Sequence, residues 1–514
     1  MPAWSWTAVL AGAVLASSRS EQRGKQIYLR GTSPSGREIT ASLGDSAPGL
    51  PATSLACGGC HGLDGLGKPE GGIVPPNVTW DSLTKPYGHR HPDGREHQAY
   101  TEQSLRRAIT MGIDPAGNTL GVAMPRYAMS AQDATDLIAY LKRIGKEREP
   151  GLTDRAIRIG AIVPGEGPLE DAGREIQALL EAYFDDLNAQ ARIHDRRVEI
   201  RFLRDPGGPL SPRFERFLGG EGFFALLEAR ALGADQELAR RAEAEEIPVV
   251  VPLATFPEAD AGAYRHVFYL LSGLKDQGRA LVEFAARKLD EAKPRVAIVY
   301  PQASSFSDVV RAMEEQCRLA GCSSTIEVGY PSGGFVAANV ASALQKDGSQ
   351  VVCFLGSGKE LKSLMEETQA SSPAPTFMVA GALTGSDVFD APAGSPSRIF
   401  AAYPMLPSDR TSEGLEQLRA LVRRKRLSLH HLPLQVAAYG AARILVEALR
   451  RSGRDTSREK LLAELEGLYE FDTGLLPPVT FGPNLRVGAP GAYVVAVDRA
   501  RRRFVPVSGW IAPK

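Results

Sequence analysis

The run Cys57-Gly-Gly-Cys60-His61 decides how the front of this 514-residue chain folds. A C-x-x-C-H pattern is the attachment signature of a c-type haem, in which two thiols each add to one vinyl group and the adjacent imidazole reaches the iron. One covalently attached haem c, held by Cys57 and Cys60 with His61 on the metal, is therefore the expectation. A redox or a zinc C-x-x-C is the competing reading. Zinc needs further soft ligands, and the other cysteines, Cys317, Cys322 and Cys353, lie far along the chain.

Downstream, Gly121-Val-Ala-Met124-Pro125-Arg-Tyr-Ala-Met129-Ser130 leads into Asp133-Ala-Thr-Asp-Leu137-Ile138-Ala-Tyr140-Leu141. Its apolar residues recur at helical spacing, and Ser130 suits an N-cap. Gly62-Leu-Asp-Gly65-Leu-Gly67 and Pro75-Pro76-Asn77 suit loops that pass close to a flat ring. With these motifs, residues 20–146 resemble the class I cytochromes c, an all-α fold. The resemblance implies a first helix at Gly24-Lys-Gln-Ile27-Tyr28, a middle helix at Thr101–Ile109, and the Met124 thioether as the second axial ligand. His/Met ligation favours ferrous iron and suits electron transfer. Met129, or a histidine of Tyr87-Gly-His89-Arg-His91-Pro-Asp-Gly-Arg-Glu-His97, is the alternative ligand, although those histidines read rather as a solvated loop.

Residues 1–18 hold an apolar core, Thr7–Leu15, followed by small residues, Ala16-Ser-Ser18, and read as a secretory signal too short to span a bilayer. No later stretch reads as a membrane span, and no cysteine near the cleavage site suggests a lipid anchor. The family resemblance then implies the periplasm, where such haems are attached. Lys plus Arg and Asp plus Glu both number 60, leaving no net field to attract nucleic acid or a membrane surface. The basic runs Arg423-Arg-Lys-Arg426 and Arg499-Ala-Arg-Arg-Arg503 read as solvated faces.

A chain this long exceeds one small cytochrome. Residues 147–154 read as a polar linker, and from Arg155 short apolar strands alternate with amphipathic helices, the pattern of a parallel sheet covered on both faces. Strands are expected near 157–162, 198–203, 223–227, 248–251, 295–300, 351–355 and 376–379, and the break at Asp290–Pro294 suggests two α/β lobes in series. The landmarks Arg158-Ile-Gly-Ala-Ile-Val-Pro164, Gly222–Ala229, Ala242–Thr255 and Pro294-Arg-Val-Ala-Ile-Val-Tyr300 resemble type I periplasmic binding proteins of the branched-chain amino acid ABC transporter group. The resemblance covers residues 155–514 and implies a bilobal α/β domain that closes over its ligand. It makes Ala231, Ala254 and Thr255 ligand contacts and Phe306 an aromatic wall. Amino acid binders of that group place a carboxylate after the strand at 376–379 to pair with the ligand's ammonium, yet here Ala380-Gly-Ala-Leu-Thr-Gly-Ser386 carries none. A buried cation without a partner is costly, so an uncharged or anionic small molecule is expected.

No G-x-S-x-G elbow, P-loop or H-E-x-x-H occurs and no two-Gly dinucleotide fingerprint opens a helix, which favours electron transfer and ligand binding over catalysis. Cys317 and Cys322, near a helix end, are open to pairing in an oxidising compartment, and Cys353 reads as a buried thiol. Three functions fit: an electron carrier fused to a solute-binding module, an ABC-permease receptor or sensor with an accessory haem, and a haem oxidoreductase acting on its captured ligand. Analogy with related binding proteins names a quinoprotein dehydrogenase as the redox partner of the first.

Overall fold

The computed structural model describes residues 19–44, 49–68, 74–91, 94–145, 149–190, 193–205, 212–228, 235–257, 264–289, 293–392 and 394–513. The signal expected over residues 1–18 lies outside them. The chain divides into two units, Met1–Pro150 and Gly151–Lys514.

The first unit holds helices α1 (Arg19–Arg30), α2 (Cys57–His61), α3 (Trp80–Leu83), α4 (Glu102–Met111) and α5 (Ala131–Arg143). Thr101 with Ser104 and Ser130 with Asp133 form capping boxes that start α4 and α5, satisfying amides that the first turn leaves without partners. Ile27, Tyr28, Leu105, Ile109, Leu137, Ile138 and Leu141, apolar at helical spacing, meet in one core. Five short strands, β1 (Thr40–Ser42), β2 (Leu50–Pro51), β3 (His89–Arg90), β4 (Glu96–His97) and β5 (Arg126–Ala128), add to the helices. They form an antiparallel sheet ordered β2-β1-β5 and a hairpin that sets His89 opposite His97. Elements of two or three residues carry no periodicity, which is why the sequence does not announce them.

The second unit contains β6 (Ala156–Pro164), β7 (Arg197–Asp205), β8 (Ala225–Glu228), β9 (Val249–Val251), β10 (Val267–Leu271), β11 (Arg295–Pro301), β12 (Ser324–Tyr330), β13 (Val351–Phe354), β14 (Thr376–Ala380), β15 (Ile399–Tyr403), β16 (Val487–Ala489), β17 (Tyr493–Asp498) and β18 (Arg503–Pro506). Its helices are α6 (Glu170–Gln190), α7 (Pro212–Glu221), α8 (Asp235–Ala244), α9 (Leu274–Lys288), α10 (Ser307–Ala320), α11 (Ala337–Asp347), α12 (Gly358–Glu367), α13 (Gly381–Thr384), α14 (Ser412–Lys425), α15 (Leu432–Arg451) and α16 (Arg458–Glu466). One sheet, ordered β16-β10-β9-β8-β6-β7, is wholly parallel. The other runs β12-β11-β13-β14-β15-β17-β18, with the last two strands antiparallel. Central runs such as Val-Val-Val in β9 and Val-Phe-Tyr-Leu-Leu in β10 are buried along their whole length, as strands covered on both faces must be.

The lobes are interleaved rather than in series. Leu418, Val436, Leu445 and Leu461, from α14 to α16, pack into the first lobe with Ile159 and Leu180, and β16 pairs with β10. Leu281 and Phe284 of α9 already belong to the second lobe's core, with Ile298 and Met378. The chain therefore changes lobe at 272–273, ahead of the break at 290–294, returns over 404–411, and crosses again at 490–491. Ser272 Oγ donates to the Gly491 carbonyl, and the Tyr493 hydroxyl to Asp409, which ties the crossings together. Contrary to the sequence expectation, α15 is long and apolar enough to cross a membrane, but 72% of its apolar window is buried inside the first lobe.

Candidate functional site

In the first unit, α2 carries Cys57 and Cys60 one turn apart and ends on His61. All three, together with Met124, line one cavity of about 440 Å³. Apolar side chains, among them Leu55, Leu83, Leu105, Ile109, Leu137 and Leu141, make most of its wall. His61 is 6% exposed, and its Nδ1 lies 2.9 Å from the Pro76 carbonyl. A carbonyl only accepts, so Nδ1 carries the proton and Nε2 keeps its lone pair for a metal. Burial holds the imidazole below its ordinary pKa, against the Pro76 hydrogen bond, favouring the neutral form that ligates. Burial also pushes the Cys57 thiol up to about 11, whereas redox C-x-x-C thiols are lowered. Among the described residues, no group of three or more His, Cys, Asp or Glu side chains is placed to hold a metal ion, as a zinc site would need. A porphyrin fits this donor set: two thiols, an imidazole and a thioether on one cavity whose wall is mostly apolar.

The loop carrying Met124 is held by a residue the sequence did not single out. Arg126, 8% exposed, donates to the carbonyls of Leu120 at 2.8 Å, Gly121 at 3.0 Å, and Met124. Met129 packs on the core and is not among the cavity's lining residues. The three histidines read as a solvated loop are instead drawn in by the β3–β4 hairpin: His89, His91 and His97 all line the cavity, with Arg95 and Tyr100. His97 Nδ1 donates to the Gln98 carbonyl at 2.8 Å, and its Nε2 meets His91 Nε2 at 3.0 Å. The His89 and His97 ring centroids lie 5.0 Å apart, and burial, reinforced by His97, holds His89 below its ordinary pKa. No periodicity marks this hairpin, so its inward turn was not legible.

In the second unit, Thr255 follows β9 in the first lobe; its carbonyl accepts the Leu274 amide at 2.9 Å, where α9 of the second lobe begins. Ala254, 8% exposed, packs in the first lobe. Phe306, after β11 of the second lobe, is 9% exposed and packs edge to face on Phe256, centroids 5.2 Å apart. Phe256 belongs to the Thr255 loop and is anchored by Asp235, which accepts its amide at 3.0 Å. Loops at the carboxyl ends of strands from both lobes thus meet, as a ligand cleft between α/β lobes requires. Ala231 lies outside the described residues. After β14 the chain enters α13 with no acid before Asp387, and the Tyr403 ring lies against Gly381. The Ser357 hydroxyl is taken up in the capping box of α12.

A family model described as cytochrome c matches residues 50–145, and one described as periplasmic binding protein matches residues 156–502. The Leu/Ile/Val/Thr-binding protein of Salmonella typhimurium is 20% identical over 224 residues, 43% of this chain and 60% of that protein. The match thus spans less than two thirds of this relative. A leucine-binding protein from Thermotoga maritima superposes with TM-score 0.55 at 15% identity, covering 70% of this chain and 99% of that one. A solute-binding protein from R. palustris, in complex with 4-hydroxybenzoate, does so with TM-score 0.55 at 16% identity, covering 69% and 96%. At such identities the structural likeness establishes the fold.

Proposed function

We propose, for a chain that belongs to the periplasmic binding protein family and carries a cytochrome c domain ahead of that module, the role of a periplasmic electron carrier fused to a receptor for a small organic molecule. The observation that carries the redox half is the convergence of Cys57, Cys60, His61 and Met124 on one cavity. Cys57 and Cys60 would hold one haem through thioethers, and His61, through Nε2, and Met124 would ligate its iron. Bound haem supplies reversible one-electron transfer. The Pro76 carbonyl fixes the His61 tautomer, Arg126 holds the Met124 loop, and the apolar wall would keep water away from a bound iron.

The receptor half captures its ligand between the Thr255 and Phe306 loops. Lacking an acid after β14, it takes an uncharged or anionic molecule; the structural relative solved with 4-hydroxybenzoate shows that this fold accommodates an aromatic acid. Electrons come from a periplasmic redox partner, with a quinoprotein dehydrogenase the class suggested by analogy alone. The family argues for the periplasm, and also for an ABC permease as an alternative destination of the ligand.

The histidines in the cavity favour a second reading, in which His89, His91 or His97 displaces Met124, or the iron stays open and acts on the ligand. Absorption spectroscopy of the exported protein separates the two. A near-infrared Met–iron band that vanishes in Met124→Ala, with no carbon monoxide binding to the reduced wild type, is the outcome the electron-carrier reading requires; absence of that band from the wild type, or ready carbon monoxide binding, would hand the site to the second. Calorimetry tests the receptor: tight leucine binding refutes the ligand class proposed here.

A further inference from the structure

Beyond the haem motif three cysteines remain, and the fold gathers them in the core of the second lobe: Cys317 and Cys353 are buried, and Cys322 is half-buried against the same cluster. Cys317 is the fourth residue from the end of α10, and Cys322 the second beyond it. Between them Gly321 adopts a left-handed φ of 79°, and the amides of Gly321 and Cys322 both donate to the Cys317 carbonyl, the latter at 3.0 Å. That bond from the second residue past the helix is the Schellman closure, which brings the side chains at these two positions into contact, usually as an apolar pair. Here both are thiols. Each lies close enough to shift the other's titration, Cys317 upward and Cys322 downward.

We propose that Cys317 and Cys322 form a disulfide clasp across the end of α10, leaving Cys353 as a buried thiol. A disulfide needs Cα atoms about 4.4–6.8 Å apart, and the bond from the Cys322 amide to the Cys317 carbonyl folds the two backbones together. The clasp sits at the entry to β12, which among the described residues is an edge strand of its sheet and pairs with β11. Cys322, the more accessible of the two, attacks an external disulfide such as oxidised glutathione and releases one glutathione thiolate. Cys317 gives up its proton to that leaving group, and its sulfur then bonds to Cys322 Sγ and expels the second glutathione. Two protein thiols have lost two protons and two electrons, and oxidised glutathione has become two thiols. Formation in the cell rests on the periplasmic reading; formation in vitro does not.

The test counts thiols. Holoprotein equilibrated with oxidised glutathione, denatured without reductant and treated with iodoacetamide should take up one carbamidomethyl group, at Cys353, and three if reduced first. Peptide mapping should place the link between Cys317 and Cys322, and Cys322→Ser should raise the unreduced count to two. Three groups without reduction, or a link through Cys353, would overturn the proposal, and neither result depends on a variant that must fold. Protein without attached haem would show five groups instead of three after reduction, and peptide mapping would place the extra two at Cys57 and Cys60, so a failure of haem attachment is read separately. A link that forms with glutathione but is absent from exported protein upholds the clasp and counts against the periplasm instead.

Discussion

At the scale of single residues, buried charge is tolerated here only where hydrogen bonds surround it. Asp136 of α5 is 1% exposed; burial alone would raise its pKa, yet hydrogen bonds from Arg23, Ser20 and Gln132 outweigh that cost and hold it below the ordinary carboxylate value. Because the folded-state pKa is the lower one, this stabilisation is present above the unfolded value of about 3.9 and is lost as pH falls through the lowered folded value. Asp136→Asn should therefore lower the melting temperature of the first unit at pH 7, and the variant and wild type should converge in strong acid, as thermal melts at the two pH values would record. Arg126 poses the same problem beside Met124, the proposed iron ligand. Arg126→Gln strips carbonyls of Leu120, Gly121 and Met124 of a charged donor, a loss of about 1–3 kcal/mol. If Arg126 positions Met124, the near-infrared band should disappear at lower temperature than the global melt; if its role is only general stability, the two should fall together. The ligands themselves stand in a recognisable motif, whereas Arg126 and the inward-facing histidines do not, since hydrogen bonds to loop carbonyls leave no spacing to read.

At the scale of elements, close approach rather than apolar area decides how α1 meets α5. A Cβ on Gly24 would stand 1.9 Å from the Asp136 carbonyl oxygen, so the helices touch backbone to backbone at that point. Gly24→Ala must push them apart and should cost about 1–3 kcal/mol, measurable by denaturant titration of the holoprotein, with an unchanged midpoint counting against this contact. Long elements were legible for the converse reason. The strands at 156–164 and 295–301 and the helices α6, α10 and α15 run for enough residues to display a period, while β10, β12 and β15 went unread beside them. β12 is an edge strand with alternating partial exposure, and its polar residues Glu327 and Thr325 blur the apolar run that marks its buried neighbours.

At the scale of the whole molecule, each unit has its own core: Ile27, Leu105 and Leu137 anchor one, and the interleaved lobes share the others. Calorimetry of the holoprotein should then resolve two unfolding transitions, and a captured ligand should raise only the second, by about 2.7 kcal/mol of stabilisation at a hundredfold excess over its Kd. One cooperative transition that shifts as a unit would contradict this independence. Sequence alone determined the haem motif, the class of each domain and the order of the long elements, because covalent spacing and hydrophobic period are local properties that survive without contacts. Only the tertiary structure decided that α14 to α16 return to the first lobe, that the histidine hairpin turns into the cavity, that Arg126 grips the Met124 loop and that Phe256 meets Phe306. Periodicity says which face of an element must be buried; which partner buries it depends on chain crossings and loop paths that bring together residues hundreds of positions apart.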